Sequence, residues 1–219
     1  MRQIPFIILV LALGGCNMAS GGSAPSLPAP PSAEASLADE LARGATLRFD
    51  QQEADLSVAT RFARNGAGST VTSLTLQNGE ASIVVMPDGS VVLQDLRLEV
   101  ADIVGTNPDV PIRFTDIEVR LLEAVHADAQ WFGGDNEGYA ELSADIVIDW
   151  SLHRGGAPWP LDQLVLRDVP IQLEMMRAAN GTPSVELRSS IHGVFYDWVG
   201  IAELSSLEMR LETTDVFLD

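Results

Sequence analysis

Alternation of apolar and polar side chains, recurring from Thr46 to the C-terminus, is the feature that most constrains this fold. Residues 117–121 run Ile, Glu, Val, Arg, Leu, and residues 207–212 run Leu, Glu, Met, Arg, Leu, Glu. Because successive side chains of a β-strand point to opposite faces, this pattern indicates strands with one buried and one polar face. Such strands form antiparallel sheets with a single apolar side. The chain therefore predicts an all-β protein.

Turn-forming residues between these segments predict how the strands are connected. Asn78-Gly79, Asp88-Gly89 and Asn180-Gly181 are dipeptides typical of hairpin turns. We expect a single antiparallel domain over residues 44–219, with about 9–11 strands in a sandwich, an open curved sheet or a barrel. A short helix before the first strand is predicted over residues 37–43, ended by Gly44. Residues 55–63 are a second helical candidate.

The first sixteen residues predict export and a membrane anchor. Arg2 precedes an apolar run over residues 4–13, which is too short to span a bilayer, since a spanning helix needs about 20 residues. Residues 1–15 are therefore predicted to be a signal peptide. The string Leu13-Gly14-Gly15-Cys16 resembles the lipobox of bacterial lipoproteins. This resemblance implies cleavage before Cys16, thioether diacylation of its side chain, and acylation of the new N-terminus by a fatty acid such as palmitate.

The residues after Cys16 predict the location of the domain. In enteric bacteria, Asp after the lipidated Cys favours retention in the inner membrane, whereas this chain has Asn17. The resemblance therefore implies the outer membrane, with the protein facing the periplasm. Residues 16–43 hold the acylated Cys and a tether rich in Gly, Ser and Pro, which cannot form a core of its own.

Charge and cysteine content exclude several classes of protein. The chain has 13 basic residues, all Arg, against 31 acidic ones, so its net charge is −18. This excess opposes non-specific binding to nucleic acids, which depends on neutralising phosphates. With Cys16 as the lone cysteine, no intrachain disulfide and no CxxC zinc site can form. A hydrophobic content of 46% is too high for a disordered acidic protein.

A degenerate six-residue pattern recurs within the β region. It reads apolar-x-x-apolar-x-apolar and begins at Leu93, Phe114, Leu161 and Leu204, with Asp at its third position in the first two copies. We interpret it as a turn that leads into a strand. Its L-x-D-L-x-L form resembles the strands of AsmA-like envelope proteins, whose long β-sheets form a lipid-conducting groove. That resemblance implies a sheet able to bind lipid.

Candidate catalytic or metal-binding residues are few and lie far apart in the sequence. His126, His153 and His192 lie far apart and form no metal-binding motif with neighbouring residues. The pairs Ser190/His192 and Ser151/His153 lack the Gly-x-Ser-x-Gly turn of a hydrolase. We therefore predict a protein that is not an enzyme and has no metal or cofactor.

All four tryptophans fall in the second half of the chain. They are Trp131, Trp150, Trp159 and Trp198. Large aromatic side chains either fill the core of a β domain or line a ligand pocket. Trp159, between Pro158 and Pro160, is expected in a loop, where it would contact a partner or fold back on the core. These four are the candidate residues for contact with a ligand or partner.

Two functions are compatible with these features. The first is a lipid-anchored envelope protein whose non-catalytic β domain binds a lipid or another apolar ligand. The second is a structural or assembly lipoprotein whose β domain docks on another envelope protein. In both, the acyl chains on Cys16 attach the protein to the membrane.

Overall fold

The computed structural model describes residues 35–52, 54–62, 70–105, 112–154, 157–158, 162–178, 180–198 and 202–218. The predicted signal peptide, Cys16, the tether up to residue 34, and Trp159 lie outside the described residues. The described part contains one helix and fifteen strands: α1 (Leu37–Leu41), β1 (Ala45–Phe49), β2 (Ala54–Phe62), β3 (Thr70–Leu74), β4 (Leu76–Val85), β5 (Val91–Val100), β6 (Ile103–Gly105), β7 (Ile112–Leu121), β8 (Val125–Ala127), β9 (Ala129–Phe132), β10 (Glu137–Arg154), β11 (Ala157–Pro158), β12 (Asp162–Arg177), β13 (Pro183–Trp198), β14 (Ala202–Thr213) and β15 (Val216–Leu218).

All of these strands belong to one antiparallel sheet. Its main path follows the order β15-β1-β4-β5-β7-β10-β12-β13-β14-β2-β3, and the short strands β6, β8, β9 and β11 pair beside it. The sheet is curled into a half-barrel. The predicted all-β antiparallel fold is confirmed, and of the three arrangements left open by the sequence, the curved open sheet is the one found. The strand count exceeds the expected number because of the short strands beside the path.

Two short connections bring the ends of the sheet path together. Only Thr214 and Asp215 separate β14 from β15, which are the ninth and first strands of the path. Since consecutive Cα atoms lie 3.8 Å apart, this connection spans at most about 11 Å. The second and tenth strands of the path are likewise close in sequence, since β1 ends at Phe49 and β2 begins at Ala54, and β1 contacts β14. The sheet therefore has to curl back on itself rather than extend flat.

Bulges within the strands supply the curvature. Asp116, Asp168 and Ser206 have φ angles of 52°, 53° and 54°, and each lies where the register shifts because its strand carries an extra residue. Bulges bend a strand and increase its local twist. Two of these residues belong to the recurring six-residue pattern. Our interpretation of the pattern as a turn leading into a strand was wrong for those copies, because they form bulges inside long strands.

The concave face of the half-barrel holds the hydrophobic core. Its buried side chains form one contiguous cluster that includes Leu37 and Leu41 of α1, both 0% exposed. The predicted short helix is confirmed, and its N-terminus carries a capping box between Ser36 and Asp39. We name the end of the half-barrel that α1 fills the plugged end. The opposite end, where β10 and β13 finish and β12 begins, is the distal end.

Three local predictions have different outcomes. The turns at Asp88-Gly89 and Asn180-Gly181 are confirmed. The prediction of a turn at Asn78-Gly79 was wrong, because both residues lie inside β4. A Cβ on Gly79 would come within 3.2 Å of Leu98, so the glycine permits close packing of the neighbouring strand. The helical candidate at 55–63 was also wrong, because Ala54–Phe62 is a strand paired with β14 and β3.

Candidate functional site: the concave face and the fork in the sheet

On β12 and β14, the exposure of the inward side chains increases from the plugged end to the distal end. Along β12, the inward side chains are 0% exposed at Leu173, 1% at Ile171 and 7% at Leu166, and Leu164 is half-buried. Strand β14 follows the same trend from Leu211 to the half-buried Leu207. On these two strands the core is tightly packed near α1 and becomes partly accessible to solvent towards the distal end, whereas Trp150 and Leu152 of β10 stay buried there, at 3% and 4% exposed.

The sheet forks between β12 and β13. The two strands pair from Gln172 and Arg188 to Arg177 and Pro183, which is the half nearest the plugged end. Beyond that point, β12 pairs with β10 and β13 pairs with β14, and the two strands no longer pair with each other. We name this break the fork. It leaves unpaired strand edges facing each other in the middle of the sheet.

Polar side chains form a row across the convex face at the start of the fork. Asp55, Arg210, Arg188 and Gln172 lie opposite one another on four neighbouring strands. Glu186, whose side chain is 8% exposed, accepts hydrogen bonds from both arginines, at 2.6 and 2.8 Å from Arg188. The hydrogen bonds from Arg188 lower the pKa of Glu186, while burial opposes that shift and Arg210 adds to it. Glu186 thus holds two like charges side by side.

A cleft of about 530 Å³ lies at the fork. Its lining includes the convex-face residues Gln172, Arg188 and Arg210, and also Ser189 and Met209 from inward-facing positions. Ser189 is 8% exposed, and its Oγ has no hydrogen-bond partner among the described residues. Since a buried hydroxyl without a partner loses the hydrogen bonds that water would give it, this atom is a candidate ligand contact.

Trp131 is engaged in contacts within the protein. Its Nε1 donates a hydrogen bond of 2.7 Å to the carbonyl oxygen of Gly89, at the tip of the β4–β5 hairpin. Its ring covers Gly138 so closely that a Cβ there would lie 2.7 Å from the indole. Trp131 therefore holds the hairpin against β10, and its proposed contact with a ligand or partner stays a prediction.

The structure describes the other three tryptophans only in part. Trp150 is 3% exposed and packs in a second apolar cluster with Val100, Ile117 and Leu152. Trp198 ends β13, and its side chain lies outside the described part. The proposed contacts of Trp150, Trp159 and Trp198 with a ligand or partner stay predictions. Sequence reasoning missed Ser189 as a site residue, because its position in an alternating strand carries no signal of a missing partner.

Each histidine has a hydroxyl neighbour. His126 Nε2 lies 2.7 Å from Ser90 Oγ, His153 Nε2 lies 3.3 Å from Thr115 Oγ1, and His192 Nε2 lies 3.2 Å from Ser190 Oγ. Ser90 also lies 2.6 Å from Asp88 Oδ1, and its hydrogen bonds lower the pKa of that carboxyl. Because the ionised Asp88 can only accept, Ser90 donates to it and accepts from His126. This order differs from the Ser-His-Asp arrangement in which histidine removes the proton of serine.

The described ranges contain neither a membrane-spanning helix nor a metal-binding cluster. There, no helix combines the length and apolar character needed to cross a bilayer. No cluster of three His, Cys, Asp or Glu side chains in the same ranges has a geometry suited to a metal ion.

Comparison with known proteins gives no family assignment. No family model matches the chain, and no curated protein matches it either.

Proposed function

We propose that this protein is a lipid-anchored bacterial envelope protein whose half-barrel binds an acyl chain or similar apolar ligand without catalysis. The observation that carries the proposal is the gradient of exposure along the inward faces of β12 and β14. Leu173 is fully buried, whereas Leu164, on the same face of the same strand, is half-buried. An apolar surface inside a curved sheet is the kind of site in which most of a small apolar ligand can be buried.

The location of the protein supports this choice of ligand. The lipobox-like Leu13-Gly14-Gly15-Cys16 and the apolar run before it favour attachment to the bacterial envelope. Asn17 favours the outer membrane with the domain in the periplasm. In that setting, membrane lipids are the apolar molecules at hand, and the acyl chains on Cys16 keep the domain close to them.

Two adjacent substitutions on β12 test the proposal. Leu164 faces the concave surface and Val165, which is 36% exposed, faces the other side. Leu164→Asp places a carboxylate where the acyl chain lies, and desolvating that charge should weaken binding at least ~10-fold. Val165→Asp adds the same charge on the convex face and should change binding less than ~2-fold. Native mass spectrometry of the full chain, purified from bacterial membranes, measures the fraction that carries a lipid.

Two results of these lipid-occupancy measurements would contradict the proposed function. A wild-type chain that carries no lipid and takes up none from added monoacylglycerol would contradict the proposal. Equal lipid occupancy of Leu164→Asp and Val165→Asp, with both variants folded by circular dichroism, would place any bound lipid outside the concave face and contradict it as well.

Docking on another envelope protein is the second candidate. The observation that favours it is the end strand β15, where Phe217 and Leu218 are 46% and 44% exposed. An edge strand with exposed apolar side chains can add a strand from a partner. Phe217→Lys, with Asp215→Lys as its control, should abolish a cross-linked complex in cell envelopes if docking is the function. Lipid occupancy would then be unaffected.

A further inference from the structure

The cleft at the fork is lined by residues from both faces of the sheet. On the convex side the cleft is lined by Gln172, Arg188 and Arg210. On the concave side, Met209 and Ser189 lie opposite each other on β14 and β13, and Leu56 continues the same row on β2. Met209 and Leu56 are 5% and 3% exposed and belong to the core cluster. From the convex to the concave side of the fork, the surroundings therefore change from polar to apolar.

Ser189 lies where the polar lining of the cleft meets the apolar residues of the concave face. Its neighbours on the inward face of β13 are Leu187, which is 0% exposed, and the half-buried Ile191. Ser189 thus places a hydroxyl in an otherwise apolar row, and its Oγ lacks a partner in the described structure. A ligand atom that accepts a hydrogen bond at this depth would satisfy the hydroxyl.

The charges at the rim of the cleft are balanced. Arg188 and Arg210 contribute two positive charges, and Asp55 and Glu208 contribute two negative charges. Both arginines already donate hydrogen bonds to Glu186. The rim is therefore suited to an uncharged polar head group rather than to a strongly anionic one, because the cations are neutralised within the protein.

We propose that the fork binds the polar–apolar junction of an acyl ester with an uncharged head group, and that Ser189 Oγ donates a hydrogen bond to the ester carbonyl. The head group lies against the polar row of the convex face. The acyl chain passes through the fork to the concave face. This inference rests on the proposed lipid-binding function and adds the chemical class of the ligand and the residue that selects it.

A matched pair of ligands measures how much the ester carbonyl contributes to binding. Monopalmitoylglycerol and the hexadecyl ether of glycerol have the same head group and chain length, but the ether lacks the ester carbonyl. The full chain, titrated with each and followed by native mass spectrometry, should bind the ester roughly 3–10-fold more tightly, the contribution of one neutral hydrogen bond. Ser189→Ala should reduce that ratio to about 1. Ser184→Ala removes an equally buried hydroxyl, 8% exposed, from the opposite face of β13 and should leave the ratio unchanged.

The outcomes separate this inference from the function on which it rests. If the wild-type chain binds ester and ether equally, the ester contact is wrong and the lipid-binding function stands. If it binds neither, both are wrong. A preference for the ester that persists in Ser189→Ala would mean that another group makes the contact, and would overturn the assignment of Ser189.

Thermal unfolding without ligand is a second readout. Because the hydroxyl of Ser189 is buried without a partner, Ser189→Ala should raise the unfolding midpoint of the ligand-free chain by about 2–4 °C. A lower midpoint than that of the wild type would mean that the hydroxyl already has a partner in the folded protein, and would overturn the inference.

Discussion

At the scale of single residues, Glu186 is the one charged residue that is buried among the described residues, and it lies on the convex face. Two arginines, Arg188 and Arg210, lie directly opposite each other on neighbouring strands, an arrangement that repulsion would disfavour. Glu186 accepts hydrogen bonds from both and is 7% exposed. Alternation in the sequence predicts that Glu186 and Arg188 share the polar face of one strand and that Arg210 lies on the polar face of another. It could not predict which carboxylate would be buried between the arginines, because register and depth depend on the neighbouring strands.

Replacing this carboxylate should destabilise the protein. Glu186→Gln leaves Arg188 and Arg210 facing each other, with the side chains 45% and 54% exposed, so water screens part of the repulsion. We expect the free energy of unfolding to fall by about 1–2 kcal/mol. Glu212→Gln is the matched control, because Glu212 is 54% exposed and pairs with Arg210 alone among the described residues, and it should cost less than about 0.5 kcal/mol. Urea unfolding at neutral pH measures both.

The same substitution should change how stability depends on pH. The arginines lower the pKa of Glu186 in the folded protein, so the folded state favours the ionised carboxylate more than the unfolded state does. This contribution is fully present above the unfolded pKa of about 4.3 and is lost as the pH falls through the lower folded value. Glu186→Gln should therefore flatten the acid side of the curve. An acid limb as steep as that of the wild type would contradict the assignment.

At the scale of single elements, the bulges and the fork decide the shape of the sheet. The sequence predicted strands correctly where alternation was unbroken, as in residues 117–121 and 207–212. It failed at Asp116 and Ser206, because an extra residue within a strand and a turn between strands produce the same break in the pattern. It also failed at Gly79, whose role depends on the packing of Phe49 and Leu98 from neighbouring strands.

Hydrogen exchange should reveal the fork as a boundary within β13. In this strand, residues 183–188 pair with β12 and residues 185–188 also pair with β14, whereas residues 189–198 pair with β14 alone. Since every other amide of the second segment faces an unpaired edge, peptides covering residues 189–193 should lose protection faster than those covering residues 183–188. Mass spectrometry of exchanged peptides measures this difference. Uniform protection along β13 would mean that the fork closes in solution.

At the scale of the whole molecule, one curled sheet replaces the two packed layers of a common β domain. All-β character, antiparallel pairing and the short first helix follow from alternation, turn residues and the Leu37–Leu41 pattern. The half-barrel itself does not, because the crossing of β14 to β15 through two residues is a long-range pairing without a local signal. In the proposed function, the chain's net charge of −18 favours solubility of the domain beside a membrane, and membrane attachment is assigned to Cys16.

The anchor is tested by one substitution. Cys16→Ala removes the thiol that the lipobox-like motif would acylate, so the full chain should no longer incorporate an alkyne analogue of palmitate and should keep its first fifteen residues. Met18→Ala, two residues further along, should incorporate the label normally. Labelling of Cys16→Ala at the wild-type level would contradict lipidation at this residue.

The most direct test of the central claim is to map where an acyl chain lies. Monopalmitoylglycerol with a diazirine in its chain, photoactivated with the full-length protein and located by peptide mass spectrometry, should label the half-buried, inward-facing residues Leu164, Ile191 and Leu207. Excess unlabelled lipid should abolish that labelling. Attachment to convex-face residues such as Val165 and Glu208, or no attachment that unlabelled lipid displaces, would contradict the account.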